Sequence, residues 1–248
     1  MKTKDVEYIN LLFIMLDSCR YDTFEIANTP NFDKVGKLHK AYSPGCWTTS
    51  TIPSYLYGAP PLDYILKSDI QRRFVYIKEG YGIIKEINYW NGFYSPNPIA
   101  YELKDLFKEF EVTKILDYPL DEPSCELIFN DIIKDKEERE NRPFMIHTLF
   151  METHSPMWDG TKYISDLDRQ FEGQIKAIEY IDDKFGKFID NIKGIAPTKF
   201  VITSDHGDMM GETNEYGKKM YGHDPRNDNL TFHPKLFEIP YIEGTYYE

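Results

Sequence analysis

The stretch FVITSDHGD, residues 200–208, indicates both the fold and a site within it. Its first half is aromatic and β-branched, which is typical of a buried strand, and Gly207 permits a tight exit from that strand. Asp205 and His206 would then stand at the C-terminal tip of the strand, where open α/β sheets place their ligand-binding residues. Both side chains can bind a metal ion, although an Asp-His pair alone also fits an ordinary turn.

A second apolar run, residues 9–16, ends in the same way at Asp17, and a third, residues 143–150, leads to His154. Asp17 and Asp205 lie 188 residues apart in the sequence, so only tertiary folding brings them together, as the ends of parallel strands joined by helices. We therefore predict an α/β fold with a mostly parallel central sheet between helices, formed by a single domain over residues 1–248. The alternative for Asp17 is a helix cap or turn residue.

The most regular helical pattern covers residues 166–193, where apolar residues recur at helical spacing and predict a long amphipathic helix that ends at Gly194. Residues 122–140 predict a second helix. Pro30, next to capping residues, predicts a short helix within residues 28–39. Residues 59–100 are rich in Tyr, Pro, Gly and Asn, and we predict one short strand there, near residues 81–87.

Composition limits the partners of this chain of 248 residues. A net charge of −12 argues against a nucleic-acid-binding surface, because such surfaces need clustered Lys and Arg. We expect no membrane span, since the apolar runs fall short of the roughly 20 residues that one requires. The three cysteines lack paired spacing, and the charged N-terminal residues 1–8 do not resemble a signal peptide. We therefore expect a cytoplasmic protein, with self-association left open.

The strand ends and a nearby turn suggest a metal centre. Two carboxylates and an imidazole, from Asp17, Asp205 and His206, would bind one divalent ion, and Mn, Mg, Ca and Zn all fit these ligand types. Thr48 follows a turn of small residues and begins a predicted helix, where an anion is stabilised. A bound ion would lower the pKa of the Thr48 hydroxyl and screen a phosphoryl or sulfuryl oxygen. We slightly favour manganese.

Five segments form an ordered set of motifs along the chain: residues 10–22, TPNFD at 29–33, HSP at 154–156, SDHGDMMGE at 204–212, and GH at 222–223 with FEIPY at 237–241. In this order they resemble the sulfatase-like branch of the alkaline phosphatase superfamily, and together they span most of the chain. The resemblance implies an alkaline phosphatase-like three-layer fold, with Asp17, Thr48, Asp205 and His206 as ligands of one ion. It also implies a domain without the C-terminal subdomain of larger relatives.

The chain departs from the family at the expected nucleophile. Formylglycine sulfatases have a cysteine at the head of C-x-P-S-R, ten residues before a helix-closing glycine, and counting back from Gly58 reaches Thr48 rather than Cys46. Trp47-Thr48 resembles members that use an unmodified threonine, and Ile52 stands where sulfatases have the motif arginine. The resemblance therefore favours Thr48 as the nucleophile and a phosphate ester over a sulfate ester, with Cys46 as the rival.

Four other polar residues are assigned roles as well. We assign His154 to substrate binding or to protonation of the leaving oxygen, and His223 to a second contact with the substrate anion. Arg20 either contacts substrate or pairs with Asp22. His147 lies inside a predicted strand and is expected to be a core histidine whose hydrogen bonds are satisfied.

The favoured function is a metal-dependent hydrolase that cleaves a small anionic phosphate ester, with a sugar-linked ester as one option. Two alternatives stay open. A hydroxyl acceptor in place of water would make the protein a phospho-group transferase acting on a glycan or lipid. A non-catalytic metal-binding module could also keep this fold.

Overall fold

The computed structural model describes residues 9–57, 89–107, 110–119, 122–139, 142–192, 197–214, 216–223 and 233–246. Its helices are α1 (Tyr21–Ile26), α2 (Thr48–Tyr57), α3 (Pro98–Glu102), α4 (Cys125–Glu138) and α5 (Gln170–Asn191). Its strands are β1 (Asn10–Leu16), β2 (His39–Tyr42), β3 (Trp90–Ser95), β4 (Val112–Ile115), β5 (Phe144–Phe150), β6 (Met157–Trp158), β7 (Tyr163–Ile164), β8 (Thr198–Ser204), β9 (Met209–Thr213), β10 (Lys219–Gly222) and β11 (Glu238–Tyr246).

Seven of these strands form one sheet in the order β2-β11-β8-β1-β5-β3-β4. From β8 to β4 the neighbours are parallel, while β11 runs antiparallel to both β8 and β2. The sheet is therefore mostly parallel, as predicted. The register places Leu16 beside Ser204 on one side and Phe150 on the other, so β8, β1 and β5 end level at one edge of the sheet.

Helices cover both faces of this sheet. Along β1, Leu12, Ile14 and Leu16 pack into a core with α4 and α5, whereas Met15 packs on the opposite face with α2 and α3. Successive side chains of a strand point to opposite faces, so a strand buried on both sides has a continuous apolar sequence. The predicted α/β fold with helices on both faces is confirmed. Among the described helices, none has the length and apolar character needed to cross a membrane.

The two long helices form where their sequence patterns predict them. The segment at residues 166–193 begins with a 3₁₀ turn, Leu167–Arg169, and continues as α5 through Asn191. Its apolar stripe is buried at Ile178, Ile181, Phe185 and Phe188. Residues 122–140 contain α4. The predicted stop at Gly194 and the predicted strand near residues 81–87 lie outside the described residues.

The prediction of a short helix within residues 28–39 is wrong. Only one 3₁₀ turn, Phe32–Lys34, forms there, and His39 already belongs to β2. The cause is a tertiary contact, because the Asp182 carboxylate of α5 accepts hydrogen bonds from the backbone amides of Asn31 and Phe32. This contact ties the turn to α5, and the chain then extends to pair with β11.

His147 of β5 is a core residue, but its hydrogen bonds are not all satisfied as predicted. Its ring stacks on Phe13 with a centroid distance of 4.6 Å and an interplanar angle of 9°. Its Nε2 atom is buried and has no hydrogen-bond partner among the described residues. Burial lowers the pKa of His147 to about 3, since the apolar surroundings disfavour its charged form.

We expect His147 to make stability depend on pH. The folded-state pKa lies below the unfolded value of 6.5, so stability is complete above that value and declines as the pH falls from 6.5 towards 3. Between pH 7 and pH 5 this residue should cost on the order of 2 kcal/mol. In His147→Phe, urea unfolding at the two pH values should show a correspondingly smaller difference. The exposed His39→Gln control should behave like wild type, and an equal pH response in wild type and His147→Phe would contradict the assignment.

Candidate metal centre

Two adjacent strand ends bring Asp17, Asp205 and His206 into one buried cluster. β1 and β8 are parallel neighbours that end level, so the residues that follow them meet at the same edge of the sheet. Each of the three side chains is 0% exposed. One donor atom from each lies within 4.8 Å of the others. His206 Nε2 is 3.4 Å from Asp205 Oδ2 and 3.9 Å from Asp17 Oδ1.

Thr48, the first residue of α2, joins this cluster. Its Oγ1 donates a hydrogen bond of 2.9 Å to Asp205 Oδ2 and lies 3.3 Å from His206 Nε2. The first amides of a helix have no partners within it, so the start of α2 presents a favourable environment for an anion. The structure thus brings together all four residues that the sequence analysis assigned to the ion.

A short backbone link holds the two carboxylates in register. Ser18 adopts a left-handed conformation, with φ of 59°, which is uncommon for a residue other than glycine. In this conformation its amide donates to Asp205 Oδ1 at 3.1 Å, and its hydroxyl donates to Asp17 Oδ1 at 2.9 Å. The next amide, of Cys19, donates to Ser204 Oγ at 2.9 Å. The turn after β1 is therefore fastened to the end of β8.

The charges in the cluster favour a cation. Burial raises the pKa of Asp17 and of Asp205, and the nearby Asp205 carboxylate raises that of Asp17 further. Among the described residues, no Lys or Arg forms an ion pair with either carboxylate. The nearby His223 lowers the pKa of both acids in part, but neither forms an ion pair with a fully charged side chain, and two such buried acids are costly unless a bound ion compensates them.

His206 presents the right atom to such an ion. Its Nδ1 lies 2.8 Å from the Gly207 carbonyl oxygen, which can only accept a hydrogen bond, so the proton is assigned to Nδ1. Nε2 therefore directs a lone pair at the carboxylates. Burial lowers the pKa of His206, which keeps the ring neutral and able to bind a metal. Two carboxylates, a hydroxyl and a neutral imidazole fit a divalent ion, as predicted from sequence.

The cluster is held in position by two residues that the sequence analysis did not identify. Asn97 caps α3, and its Nδ2 donates a hydrogen bond to Asp17 Oδ2. Asn97-Pro98 is a recognisable helix start, but it lies within residues 59–100, for which the sequence predicts only one short strand. Gln174 is a polar residue on the buried face of α5. A glutamine within an otherwise apolar helix face is a sequence signal that could have identified it.

Gln174 joins two loops of the site. Its Oε1 accepts hydrogen bonds from the amide of Arg20 at 3.0 Å and from the hydroxyl of Thr23 at 2.6 Å. Its Nε2 donates to the carbonyl oxygens of Ser18 and Thr153, both at 2.9 Å. The loop after β1 and the loop that precedes His154 are therefore held by a single side chain, whose amide atoms both have partners.

Three histidine rings lie in a row at this edge. His223 lies 4.3 Å from His206 and 5.5 Å from His154, measured between ring centroids. Nδ1 of His223 is 3.3 Å from Asp208 Oδ1. Burial opposes protonation of His223, but Asp208 and the two buried acids outweigh it and raise its pKa. Burial and the neighbouring His223 lower the pKa of His154. The row of rings therefore extends from the cluster, at His206, through His223 to His154.

Arg20 is engaged with protein groups, which favours the second of its two predicted roles. It is buried, and its guanidinium donates to Asp22 at 2.6 and 2.8 Å, to Glu212 at 2.5 Å and to the Asp208 carbonyl oxygen at 3.3 Å. Lys235 also binds Asp22, at 2.8 Å. The geometry gives Arg20 a structural role, since it ties the loop after β1 to the strand that follows Asp208.

Cys46 and Thr48 differ in their surroundings. Cys46 packs against the small apolar cluster of Met209, Met220 and Leu236, whereas Thr48 contacts Asp205 directly. Burial raises the pKa of the Cys46 thiol, which leaves less of the reactive thiolate at neutral pH.

Comparisons with known proteins agree with this architecture. A family model described as Sulfatase matches residues 9–242. A comparison with curated protein sequences finds no significant match. The fold is similar to the C-terminal periplasmic domain of phosphoethanolamine transferase EptC from Campylobacter jejuni, with a TM-score of 0.67 and 16% identity, over 96% of this chain and 79% of that one.

Two further solved structures are similar. Lipoteichoic acid synthase LtaP from Listeria monocytogenes gives a TM-score of 0.64 and 18% identity, over 95% of this chain and 65% of that one. Phosphonate monoester hydrolase of Agrobacterium radiobacter gives a TM-score of 0.65 and 14% identity, over 95% of this chain and 68% of that one. Likenesses at these identities establish a shared fold.

The cluster predicts a thermal response to divalent ions. Ion added to metal-stripped wild type at about 100 times its dissociation constant should stabilise the fold by about 2.7 kcal/mol, which is roughly 5–10 °C in Tm. Asp205→Asn should lose most of this shift. Its metal-free form should be at least as stable as metal-free wild type, because one of two neighbouring buried acids is gone.

Differential scanning fluorimetry with Mn²⁺ and Zn²⁺, supported by elemental analysis of the bound ion, measures this response. Asp159→Asn is the matched control, since Asp159 lies in an exposed turn and makes the same charge change. Equal ion-dependent shifts in Asp205→Asn and wild type would contradict the site.

Proposed function

The chain belongs to the sulfatase family, and on that premise we propose that it cleaves a phosphate ester at the cluster of Asp17, Thr48, Asp205 and His206. The family indicates an enzyme that acts on phosphate or sulfate esters. The observation that supports our more specific proposal is the 2.9 Å hydrogen bond from the Thr48 hydroxyl to Asp205, at the start of α2. It places a hydroxyl, a buried acceptor and a neutral imidazole in direct contact.

Asp17, Thr48, Asp205 and His206 would hold the ion. A divalent ion in such a site lowers the pKa of the attacking hydroxyl and screens the negative oxygens of the ester. Because the carboxylates are fixed by Ser18 and Asn97, these ligands need little rearrangement to bind it.

In the first step, Thr48 Oγ1 forms a bond to phosphorus while the bond from phosphorus to the leaving oxygen breaks. The hydroxyl proton moves towards Asp205 Oδ2, which already accepts its hydrogen bond. His154, in the form protonated at Nε2, gives that proton to the leaving oxygen. The first amides of α2 face the negative charge that develops near Thr48. The product is an alcohol and a phosphorylated threonine.

His154 is suited to proton exchange at one defined atom. Its Nδ1 lies 2.7 Å from the Ser155 carbonyl oxygen, so Nδ1 carries a proton and Nε2 is the atom that gains or loses one. In the second step Nε2 takes a proton from the incoming acceptor, whose oxygen bonds to phosphorus as the bond to Thr48 Oγ1 breaks. Asp205 Oδ2 returns its proton to Thr48 Oγ1 as that bond breaks, so Thr48, Asp205 and His154 all recover their starting protonation.

The identity of the acceptor separates two candidate functions. Water makes the protein a phosphoester hydrolase, which is our first proposal, and the likeness to a phosphonate monoester hydrolase supports it. A hydroxyl of a glycan or lipid makes it a transferase, and the likeness to a phosphoethanolamine transferase and a lipoteichoic acid synthase supports that second candidate. Manganese as the ion, self-association and a cytoplasmic location remain proposals beside these.

The nucleophile can be tested by a pair of substitutions. With Mn²⁺ present, 4-nitrophenyl phosphate or its diester should be cleaved faster than 4-nitrophenyl sulfate. Thr48→Ala should lower kcat by about 10³-fold or more, because the covalent step is lost. Cys46→Ala should stay within about threefold of wild type. Acid-quenched wild type should yield a phosphorylated Thr48 peptide by mass spectrometry.

The same assay separates the alternatives. Sulfatase activity that survives Thr48→Ala but is lost in Cys46→Ala would overturn the assignment of the nucleophile. Adding glycerol as an acceptor and following products by ³¹P NMR distinguishes transfer from hydrolysis. Turnover of neither phosphate nor sulfate esters by ion-loaded protein would favour the non-catalytic alternative.

A further inference from the structure

A small cavity opens beside His154, and its lining includes Ser124, next to the start of α4. Its volume is about 60 Å³, and one water needs roughly 10–15 Å³ by this measure, so there is room for a group of several atoms. Three prolines and the ring of Tyr163 form much of its wall, and Ser155 and His154 border it. The cavity therefore adjoins the residue that we assign to the leaving oxygen.

Glu152 lines this cavity, and only one of its two carboxylate oxygens has hydrogen-bond partners among the described residues. Its Oε1 accepts hydrogen bonds from the amides of Ser124 at 2.6 Å and Cys125 at 2.8 Å, at the N-terminus of the 14-residue helix α4. The side chain is 1% exposed, and its Oε2 is buried without a hydrogen-bond partner among the described residues. Leaving such an atom unpaired is costly, so the site is one that a donor group would satisfy.

The charges around the cavity select the kind of donor. Glu122, which is exposed, also lines it, and no Lys or Arg is found among the described residues of its wall. Burial raises the pKa of Glu152, while the two amides that bind Oε1 oppose this by stabilising the charged form. A positive group against Oε2 would stabilise that form further. The ring of Tyr163 adds an aromatic surface of the kind that attracts cations.

We propose that this cavity, which we call the Glu152 subsite, binds a primary alkylammonium group carried by the substrate. The ammonium would donate to Glu152 Oε2, with Glu122 at the rim contributing its charge and the prolines contacting the alkyl chain. The assignment of this group to the leaving or accepting alcohol rests on the proposed function, since it follows from the position of His154. Binding of the ammonium itself requires no reaction.

Direct binding tests the subsite without turnover. Ion-loaded wild type is titrated with 3-amino-1-propanol and with 1,3-propanediol at pH 7 and constant ionic strength, and binding is followed by protein NMR. The ammonium compound should bind at least tenfold more tightly than the neutral diol. Glu152→Gln, which keeps an oxygen for the two amides, should reduce its affinity to that of the diol.

Two more variants complete the test. Glu126→Gln makes the same change on an exposed residue in the first turn of α4, outside the cavity, and should bind like wild type. Glu122→Lys reverses a charge at the exposed rim, so it should weaken ammonium binding severalfold even if Glu152→Gln fails to fold. Equal binding of the two compounds, or affinity that neither Glu152→Gln nor Glu122→Lys changes, would overturn the subsite. A protein that binds the ammonium but cleaves no ester would refute only the proposed function.

Discussion

The site depends on one costly interaction, the burial of two carboxylates beside each other. Asp17 and Asp205 are both inaccessible to solvent, and each disfavours the charge of the other. Proteins rarely bury acids unless a partner cation or a bound ion compensates them. In the described part of this chain the groups in direct contact with them are a neutral imidazole, a hydroxyl, the Asn97 amide and backbone amides, while His223, whose pKa the two acids help to raise, forms its ion pair with Asp208. The compensating charge is therefore expected from an ion.

The surrounding structure resists the repulsion between these acids. The left-handed turn at Ser18 lets one residue donate to both carboxylates, while Asn97 fixes the second oxygen of Asp17. Gln174 then fastens the same turn to the loop that leads to His154. Since these contacts come from β1, α3 and α5, the geometry of the site follows from the packing of helices on both faces of the sheet.

The sequence predicted those parts of the site whose signal is local. Asp17 and Asp205 each follow an apolar run of strand length, so their position at strand ends could be inferred without knowing the neighbouring strand. The sequence did not predict Asn97 or Gln174, because their roles depend on partners far away in the chain. The failed helix within residues 28–39 has the same origin, since Asp182 of α5 determines the turn there. Residues 59–100 lacked a clear periodic pattern, which is why β3 was missed.

Anomalous X-ray diffraction from crystals grown with Mn²⁺ or Zn²⁺ tests the central claim most directly. We expect one strong peak at the absorption edge of the ion, within bonding distance of oxygen atoms from Asp17 and Asp205 and of His206 Nε2, with Thr48 Oγ1 as a fourth neighbour. A peak at other residues only, or no peak with the two carboxylates hydrogen-bonded to each other through a shared proton, would contradict the claim that these residues form a metal centre.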